Sequence, residues 1–358
     1  MQRSIRSVAV LGIGTVGELV VDMLTESGFD VVAYDAAPPP GTEVRPLDVT
    51  DGDALAEALG AVDALVSCLP YALNVAVAEA AAKVGTHYFD LTEDVPTTNR
   101  VMELAEQHPG TVFAPQCGLA PGLIGIVGSS LAATFEEIRS VELRVGALPR
   151  HPAGLLGYAF NWSPEGVVNE YLNDCEVLRG GRRTWLPAMS ETERIVLGGV
   201  EFEAALTSGG LGTMCRTLEG RAQRLDYKSL RYPGHFQQMR FLFDELGLRS
   251  DFDLACRLLT TAKPPVTHDI VFFYAAVDGT RDGRPHREDF VRGYLPLEIG
   301  GRTWRAISWT TACSVTGVVE MVADGTLPAS GFIRQEDIAF DDLTATRAGK
   351  RFAVEGRI

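Results

Sequence analysis

The sequence predicts an α/β protein: a Rossmann-type doubly wound parallel sheet, followed by an α+β domain with a mostly antiparallel sheet. Three observations carry this. The run Gly12-Ile13-Gly14-Thr15-Val16-Gly17 (GxGxxG) lies between an apolar strand-like segment and a helical one. Strand and helix patterns alternate through the first third of the chain. After Gly118 the alternation gives way to longer strand runs. A chain of 358 residues accommodates about two domains. The divisions read as 1–120, 121–309 and a C-terminal helical segment, 310–358, that packs back on the first domain.

The elements follow in order. Ser7–Gly12 (SVAVLG) is a buried-strand run, and Gly14–Ser27 a helix with Val16, Leu19, Val20, Met23 and Leu24 on its apolar face. Phe29–Tyr34 is the second strand. Asp51–Leu59 is a helix with Ala54, Leu55 and Ala58 together and Asp51 near its start. Ala64–Cys68 is a strand, and Ala72–Val84 an alanine-rich helix; Tyr88–Leu91 and Val112–Pro115 are later strands. In the second part Val141–Val145, Val200–Leu206 and Ile270–Val277 read as strands, and Thr280–Pro285 carries an Asp-Gly turn. Thr310–Gly325 is helical again.

Composition narrows the function classes. Hydrophobic residues make up 46% and charged residues 22%, a globular balance that excludes a disordered chain. Lys plus Arg is 32 against 47 for Asp plus Glu, a net charge of −15, which disfavours a nucleic-acid partner. The uncharged stretch from Gln107 to Phe135 is broken by Pro109, Pro115 and Pro121, so no membrane association is expected from it. Cys68, Cys117, Cys175, Cys215, Cys256 and Cys313 form no CxxC pair, and the histidines form no HExxH motif. Reduced thiols, a cytoplasmic location and no metal site are the expectations.

The glycine run has a physical reading. Gly12, Gly14 and Gly17, with Thr15 and Val16 between them, permit a tight turn and close approach of a pyrophosphate to a helix N-terminus. Asp35 lies 18 residues after Gly17, where a carboxylate can hold both ribose hydroxyls. Ala36, Ala37 and Pro38 follow, with no arginine to meet a 2′-phosphate, so NAD is the expected cofactor. Asp48 either contacts the adenine or caps the helix that starts near Asp51. Cys68, Leu69 and Pro70 leave the next strand at the cofactor end of the sheet, with Cys68 a packed small hydrophobe rather than a nucleophile. Asp90, Leu91, Thr92, Glu93 and Asp94 leave the following strand. These acids bind an amine or move a proton, or else cap a helix and line a solvated turn.

Gly118-Leu119-Ala120-Pro121-Gly122 resembles the GLxPG element of the saccharopine dehydrogenase family. Gly146-Ala147-Leu148-Pro149 and the Tyr158–Gly166 stretch (YAFNWSPEG) are similar to that family's GGLP and YxFSWSxxG segments. Thr207-Ser208-Gly209-Gly210 and Tyr227–His235 (YKSLRYPGH) resemble the TSGG and YKTxRYxGH segments of its lysine 6-dehydrogenase branch. The resemblance runs to about Asp324. It implies an NAD(P)-dependent enzyme acting at a C–N bond of an amino acid, usually homodimeric or larger, with a homodimer expected here. It also departs from the family. Ala120 stands where saccharopine reductases carry Asp, and Asp90-Leu91-Thr92-Glu93-Asp94 where lysine 6-dehydrogenases read DLGGH.

On that resemblance, Arg231 is the expected anchor for a substrate carboxylate, through two parallel hydrogen bonds. Thr207, Ser208 and Gly209 are expected to offer further donors, and Asn161, with Trp162 and Ser163, a pocket wall; Asn169, Glu170 and Tyr171 are weaker candidates. Gly118 and Leu91 are expected beside the cofactor. The catalytic candidates are Tyr71, Asp90 and His235; the last, with a pKa near neutral, is an acid or base or else a satisfied structural histidine. If the stretch from Arg231 to His235 is helical, the two share a face; if it is a strand and a Pro-Gly turn, they need not. The expected reaction is oxidative ε-deamination of L-lysine or a related diamino acid. The alternatives are saccharopine-type or carboxynorspermidine-type reductive condensation of an amine with a carbonyl, and a non-catalytic NAD-binding protein.

Overall fold

The computed structural model describes residues 4–354. Two compact units form. One runs to Ile126 and resumes at Ser308; the other spans Val127–Ile307.

The first unit opens with β1 (Ser7–Leu11), α1 (Gly17–Glu26), β2 (Asp30–Asp35), β3 (Arg45–Pro46), α2 (Gly52–Gly60), β4 (Ala64–Ser67), α3 (Tyr71–Val84), β5 (His87–Asp90), α4 (Val95–Gln107) and β6 (Val112–Ala114). The strands form a wholly parallel sheet in the order β3-β2-β1-β4-β5-β6. The order reverses between β1 and β4, so their carboxyl ends open the crevice where ligands bind in such sheets. The central strands β1, β4, β5 and β6 are short and mostly buried, as parallel strands between helix layers must be, while β2 and β3 at the sheet's end are partly exposed. Asp51 caps α2 by accepting from the amides of Asp53 and Ala54.

Helix α5 (Leu123–Ala132) carries the chain out of this unit. The second unit holds β7 (Glu137–Pro149), α6 (Pro164–Leu172), β8 (Cys175–Arg179), β9 (Arg182–Leu186), β10 (Glu193–Leu197), β11 (Val200–Leu206), α7 (Met214–Leu218), β12 (Ala222–Arg231), α8 (His235–Arg240), α9 (Phe252–Ala262), β13 (Asp269–Arg281), β14 (Arg284–Tyr294), β15 (Leu297–Ile299) and β16 (Arg302–Trp304). Its main sheet runs β10-β11-β12-β7-β13-β14, antiparallel except for the β12–β7 pair. The Asp282-Gly283 hairpin joins β13 to β14 with both residues at positive φ, as an Asp-Gly turn requires. A large aromatic and aliphatic core, including Phe160, Tyr171, Phe202, Phe236, Phe243 and Phe272, packs α6, α8 and α9 on this sheet.

The chain then returns to the first unit through α10 (Ala306–Asp324), β17 (Gly331–Phe332), α11 (Phe340–Ala345) and α12 (Lys350–Val354). β17 extends the parallel sheet beyond β6. Helix α10 is long and apolar enough to cross a membrane by length and composition, but 94% of its apolar window is buried, as in a core helix.

Two readings change. The first helix starts at Gly17 rather than Gly14, because the glycine run forms the turn itself. Between Arg231 and His235 the strand-and-turn alternative holds. Arg231 ends β12, Gly234 adopts φ +96°, and His235 opens α8.

Candidate functional site

At the switch point of the parallel sheet the glycine loop packs against the exit of β4. Gly12 has φ +87°, and a Cβ there would lie 3.1 Å from the Cys68 carbonyl oxygen and 3.0 Å from Leu69 Cδ2. A Cβ on Gly17 would lie 1.9 Å from the Gly12 carbonyl oxygen. Those two glycines are required by the protein's own packing. Gly14 is different: its φ is not in the left-handed region, and a Cβ there would meet nothing within 4 Å. The fold leaves the space above Gly14 clear, and α1 begins without a side-chain cap. This cradle fits the phosphates of a dinucleotide.

Asp35 ends β2. One of its carboxylate oxygens accepts from Ile13 N at 2.8 Å and the other from Ala37 N at 2.9 Å. It ties the glycine loop to the sheet edge while remaining partly exposed. Asp48 does not cap the helix. It is exposed, and it braces its own turn by accepting from the amide and hydroxyl of Thr50, while Asp51 is the helix cap. Burial and the Asp90 carboxylate push the Cys68 thiol up to about 12, which keeps it protonated and agrees with a packed rather than a nucleophilic cysteine. Pro70 and Tyr71 form the start of α3, with Tyr71 partly buried. Leu91 and Gly118 meet: a Cβ on Gly118 would lie 3.6 Å from the Leu91 carbonyl oxygen.

The three acids after β5 have separate fates. Asp90 is wholly buried and accepts from Tyr88 Oη at 2.6 Å, Thr92 N at 2.9 Å and Gln116 N at 2.8 Å. It pins Gln116 in a φ +66° conformation. These three bonds make it a brace between β5 and the Gln116 turn, which argues against the catalytic role expected of it. Asp94 caps α4 through the amide and hydroxyl of Thr97. Glu93 lies between them, partly buried, and its carboxylate makes no hydrogen bond or ion pair with another residue among the described residues. Burial, with the neighbouring Asp94 and Asp90 carboxylates, pushes Glu93 up to about 7.

The second unit holds the other cluster. Tyr227, Ser229 and Arg231 alternate along β12 and are all buried. Arg231 is 3% exposed and forms no ion pair among the described residues. Its Nε donates to Tyr171 Oη at 2.7 Å and its Nη1 to the Leu230 carbonyl at 2.9 Å. The guanidinium lies 4.7 Å from the Tyr158 ring centroid and 5.6 Å from that of Tyr171. Thr207 and Ser229 share a 2.8 Å hydroxyl hydrogen bond, and Ser208 N donates to the Glu170 carbonyl. Gly209 turns the chain at φ +86°. Asn161 accepts from Val266 N, and its buried Nδ2 has no hydrogen-bond partner.

His235 is 1% exposed, with Nδ1 2.8 Å from the Leu156 carbonyl and Nε2 3.0 Å from Tyr171 Oη. Burial, and then the Arg231 charge, push it down to about 3. A histidine with both nitrogens engaged and held neutral does not shuttle protons near neutral pH, which favours the structural reading of His235 over the catalytic one. Among the described residues no group of three His, Cys, Asp or Glu side chains is placed to hold a metal ion. All six cysteines are free thiols.

The glycines separate packing from binding. Gly17→Ala is expected to cost about 1–3 kcal/mol of stability, because its Cβ overlaps a backbone oxygen. Gly14→Ala is expected to leave the melting temperature in place and weaken dinucleotide affinity by about tenfold or more. Thermal melts and cofactor titrations of both variants check this.

Comparison with known proteins gives consistent matches. Residues 8–113 match the model of the saccharopine dehydrogenase NADP binding domain, and residues 118–356 that of the saccharopine dehydrogenase C-terminal domain. The L-glutamate-forming, NADP(+) saccharopine dehydrogenase of Pyricularia oryzae is 25% identical over 269 residues, covering 69% of this chain and 58% of that protein. Its Saccharomyces cerevisiae counterpart is 26% identical over 201 residues, covering 49% and 43%. The chain thus spans about half the length of these curated relatives. The solved apo structure of the Saccharomyces cerevisiae L-Glu-forming saccharopine dehydrogenase superposes with a TM-score of 0.75 at 17% identity, covering 95% of this chain and 97% of that one. That likeness shows the fold.

Proposed function

Since the chain belongs to the saccharopine dehydrogenase family, we propose that it is an oxidoreductase acting on a C–N bond of an amino acid, and that its reaction is oxidative removal of the ε-amino group of L-lysine or a related diamino acid. The observation that carries this reading is Arg231, a buried guanidinium without a direct ion pair among the described residues, set against Tyr158 and Tyr171 with the buried Glu170 acting on it only through space. Buried charges are ordinarily paired. An α-carboxylate is the partner that a planar guanidinium fork suits.

A nicotinamide dinucleotide, when bound, supplies the hydride acceptor. The glycine loop and the start of α1 take its phosphates, and Asp35 its ribose. We propose NAD rather than NADP, because a 2′-phosphate would be brought against the Asp35 carboxylate. The description of the matched domain and the names of the relatives point instead to NADP, so the choice needs its own test. Asp35→Ser is expected to weaken NAD binding and move the NAD/NADP affinity ratio by about tenfold or more toward NADP. Titrating both cofactors against both proteins decides it. An unchanged ratio would remove Asp35 from the selection.

The chemistry is proton removal followed by hydride loss. Arg231 holds the carboxylate. The substrate ammonium gives up a proton, and the lone pair of the neutral amine drives hydride departure from the adjacent carbon; in the first unit the Glu93 carboxylate, without a hydrogen bond to another described residue, is a group of the kind that takes such a proton. Water adds to the resulting iminium carbon and the C–N bond breaks. In sum, R–CH2–NH3⁺, NAD⁺ and water give R–CHO, NH4⁺, NADH and H⁺.

The names of the relatives favour a second reading, a secondary amine joining two amino acids. Such a substrate brings several carboxylates. In the second unit, the other deeply buried cations, Arg144 and Lys228, are already paired with Asp226 and Glu193. That supports a substrate with one carboxylate to anchor. Reduction of NAD or NADP followed at 340 nm across lysine, ornithine and saccharopine, with ammonia assayed alongside, tests the proposal. Lysine-dependent reduction with ammonia release supports ε-deamination. Turnover of saccharopine without ammonia supports the second reading. Silence from all of them, with cofactor bound, would contradict both.

A further inference from the structure

The geometry points to Tyr171 and His235 as positioning residues that lock the Arg231 guanidinium in one orientation, presenting its free edge to a planar carboxylate. This rests on the reading of Arg231 as the carboxylate anchor and specifies how that anchor works.

The direction of every hydrogen bond in the chain is fixed by what each atom can do. The Leu156 carbonyl only accepts, so His235 Nδ1 carries the hydrogen in their 2.8 Å contact. In a neutral imidazole Nε2 is then an acceptor, and Tyr171 Oη donates to it at 3.0 Å. The phenol oxygen keeps a lone pair, which accepts from Arg231 Nε at 2.7 Å. Arg231 Nη1 gives one hydrogen to the Leu230 carbonyl. Two of the three guanidinium nitrogens are therefore held by the protein. Nη2 and the second hydrogen of Nη1 remain for a ligand. Tyr158 fixes the plane from its face, and its own hydroxyl accepts from Trp162 Nε1 at 3.2 Å.

The relay works only while His235 is neutral. A protonated ring would donate from Nε2, and Tyr171 Oη would face two donors, Arg231 and His235, with its own hydrogen unpaired. Burial among aromatic rings and the nearby Arg231 charge oppose that state. Tyr158 lies edge-on at 5.2 Å and Tyr171 at 5.9 Å between centroids, and the Arg231 charge lies beyond Tyr171. Burial and that charge hold the ring's pKa well below neutral. The anchor is thus built to keep its orientation through mildly acid pH.

The test uses Tyr171→Phe, His235→Leu, His235→Gln and Arg231→Ala in the full-length chain. Lysine binding is measured by calorimetry in the presence of oxidised cofactor, and KM and kcat are measured separately. Each variant is checked for fold by circular dichroism and thermal melting. Tyr171→Phe and His235→Leu are expected to weaken lysine binding and raise KM by about tenfold, with kcat changed by less than about threefold. His235→Gln keeps one donor and one acceptor and is expected to restore most of the affinity. If His235→Leu does not fold, Tyr171→Phe, which removes a single hydroxyl, decides alone. Lysine binding unchanged in Tyr171→Phe, or a loss confined to kcat, would overturn the inference. If Arg231→Ala also leaves lysine binding intact, the anchor itself fails. If Arg231→Ala abolishes binding while Tyr171→Phe does not, only the positioning role fails.

Discussion

Arg231→Ala is expected to lower kcat/KM for the amino-acid substrate by about 10²- to 10³-fold, while the melting temperature holds or rises. The two halves of that result come from one fact. Arg231 is a buried charge that makes no direct ion pair among the described residues; the buried Glu170 carboxylate favours its charge only through space. Its hydrogen bonds to a tyrosine and a backbone carbonyl satisfy donors, but they do not cancel the charge. Removing such a group relieves a desolvation cost in the free protein. The same removal takes away a charge-assisted, two-point contact from the bound substrate, a loss of about 2–5 kcal/mol. Arg231→Lys keeps the charge and loses the fork, so it should fall between the two. A structural ion pair would behave oppositely: Arg231→Ala would lower stability and activity together.

Glu93→Gln carries the second large effect. If Glu93 accepts the amine proton, kcat falls by about 10²- to 10⁴-fold while cofactor affinity stays put. The same variant has a signature in stability that owes nothing to catalysis. The Glu93 carboxyl lies near 7 in the folded protein against an ordinary 4.5. Between those values the folded state binds the proton and the unfolded state does not. Stability therefore falls as pH rises through that window, by at most on the order of 3 kcal/mol. His235 runs the other way. Its folded value near 3 lies below the ordinary 6.5, so the unfolded state takes up the proton first. Its contribution is present above pH 6.5 and lost as pH falls toward 3. The two slopes oppose one another in the parent protein. Glu93→Gln removes one of them, and chemical denaturation at a series of pH values should then show a steeper loss of stability on acidification. An unchanged profile would mean that Glu93 ionises normally.

Much of the first unit was legible because its signals are local. The glycine spacing, the strand before it and Asp35 beyond it lie within a few dozen residues, and they come together by forming one βαβ turn. The acids after β5 were visible as a group but not as individuals. Which of them is free depends on where Gln116 N arrives, 26 residues later, to engage Asp90. Glu93 is what remains once Asp90 and Asp94 are engaged, and no local pattern shows that. Strand β12 was hidden for a different reason. Charges in its middle do not mark a buried strand, yet Asp226 and Lys228 are buried in a network with Arg144, Arg179 and Glu193. Tyr171 stands 60 residues before Arg231, and only α6 packing against the sheet end reveals that it holds the guanidinium. His235 was flagged for its ordinary pKa, and burial reversed that argument.

The most direct test of the central claim is the fate of the nitrogen in L-lysine labelled with ¹⁵N at the ε position. Purified protein would be incubated with the labelled lysine and NAD or NADP. The label is followed by NMR while reduced cofactor is measured at 340 nm. The account predicts one labelled ammonium released for each cofactor reduced, with the α-nitrogen retained. Cofactor reduction with the label still on carbon, or no lysine-dependent reduction by a protein that binds the cofactor, would contradict it.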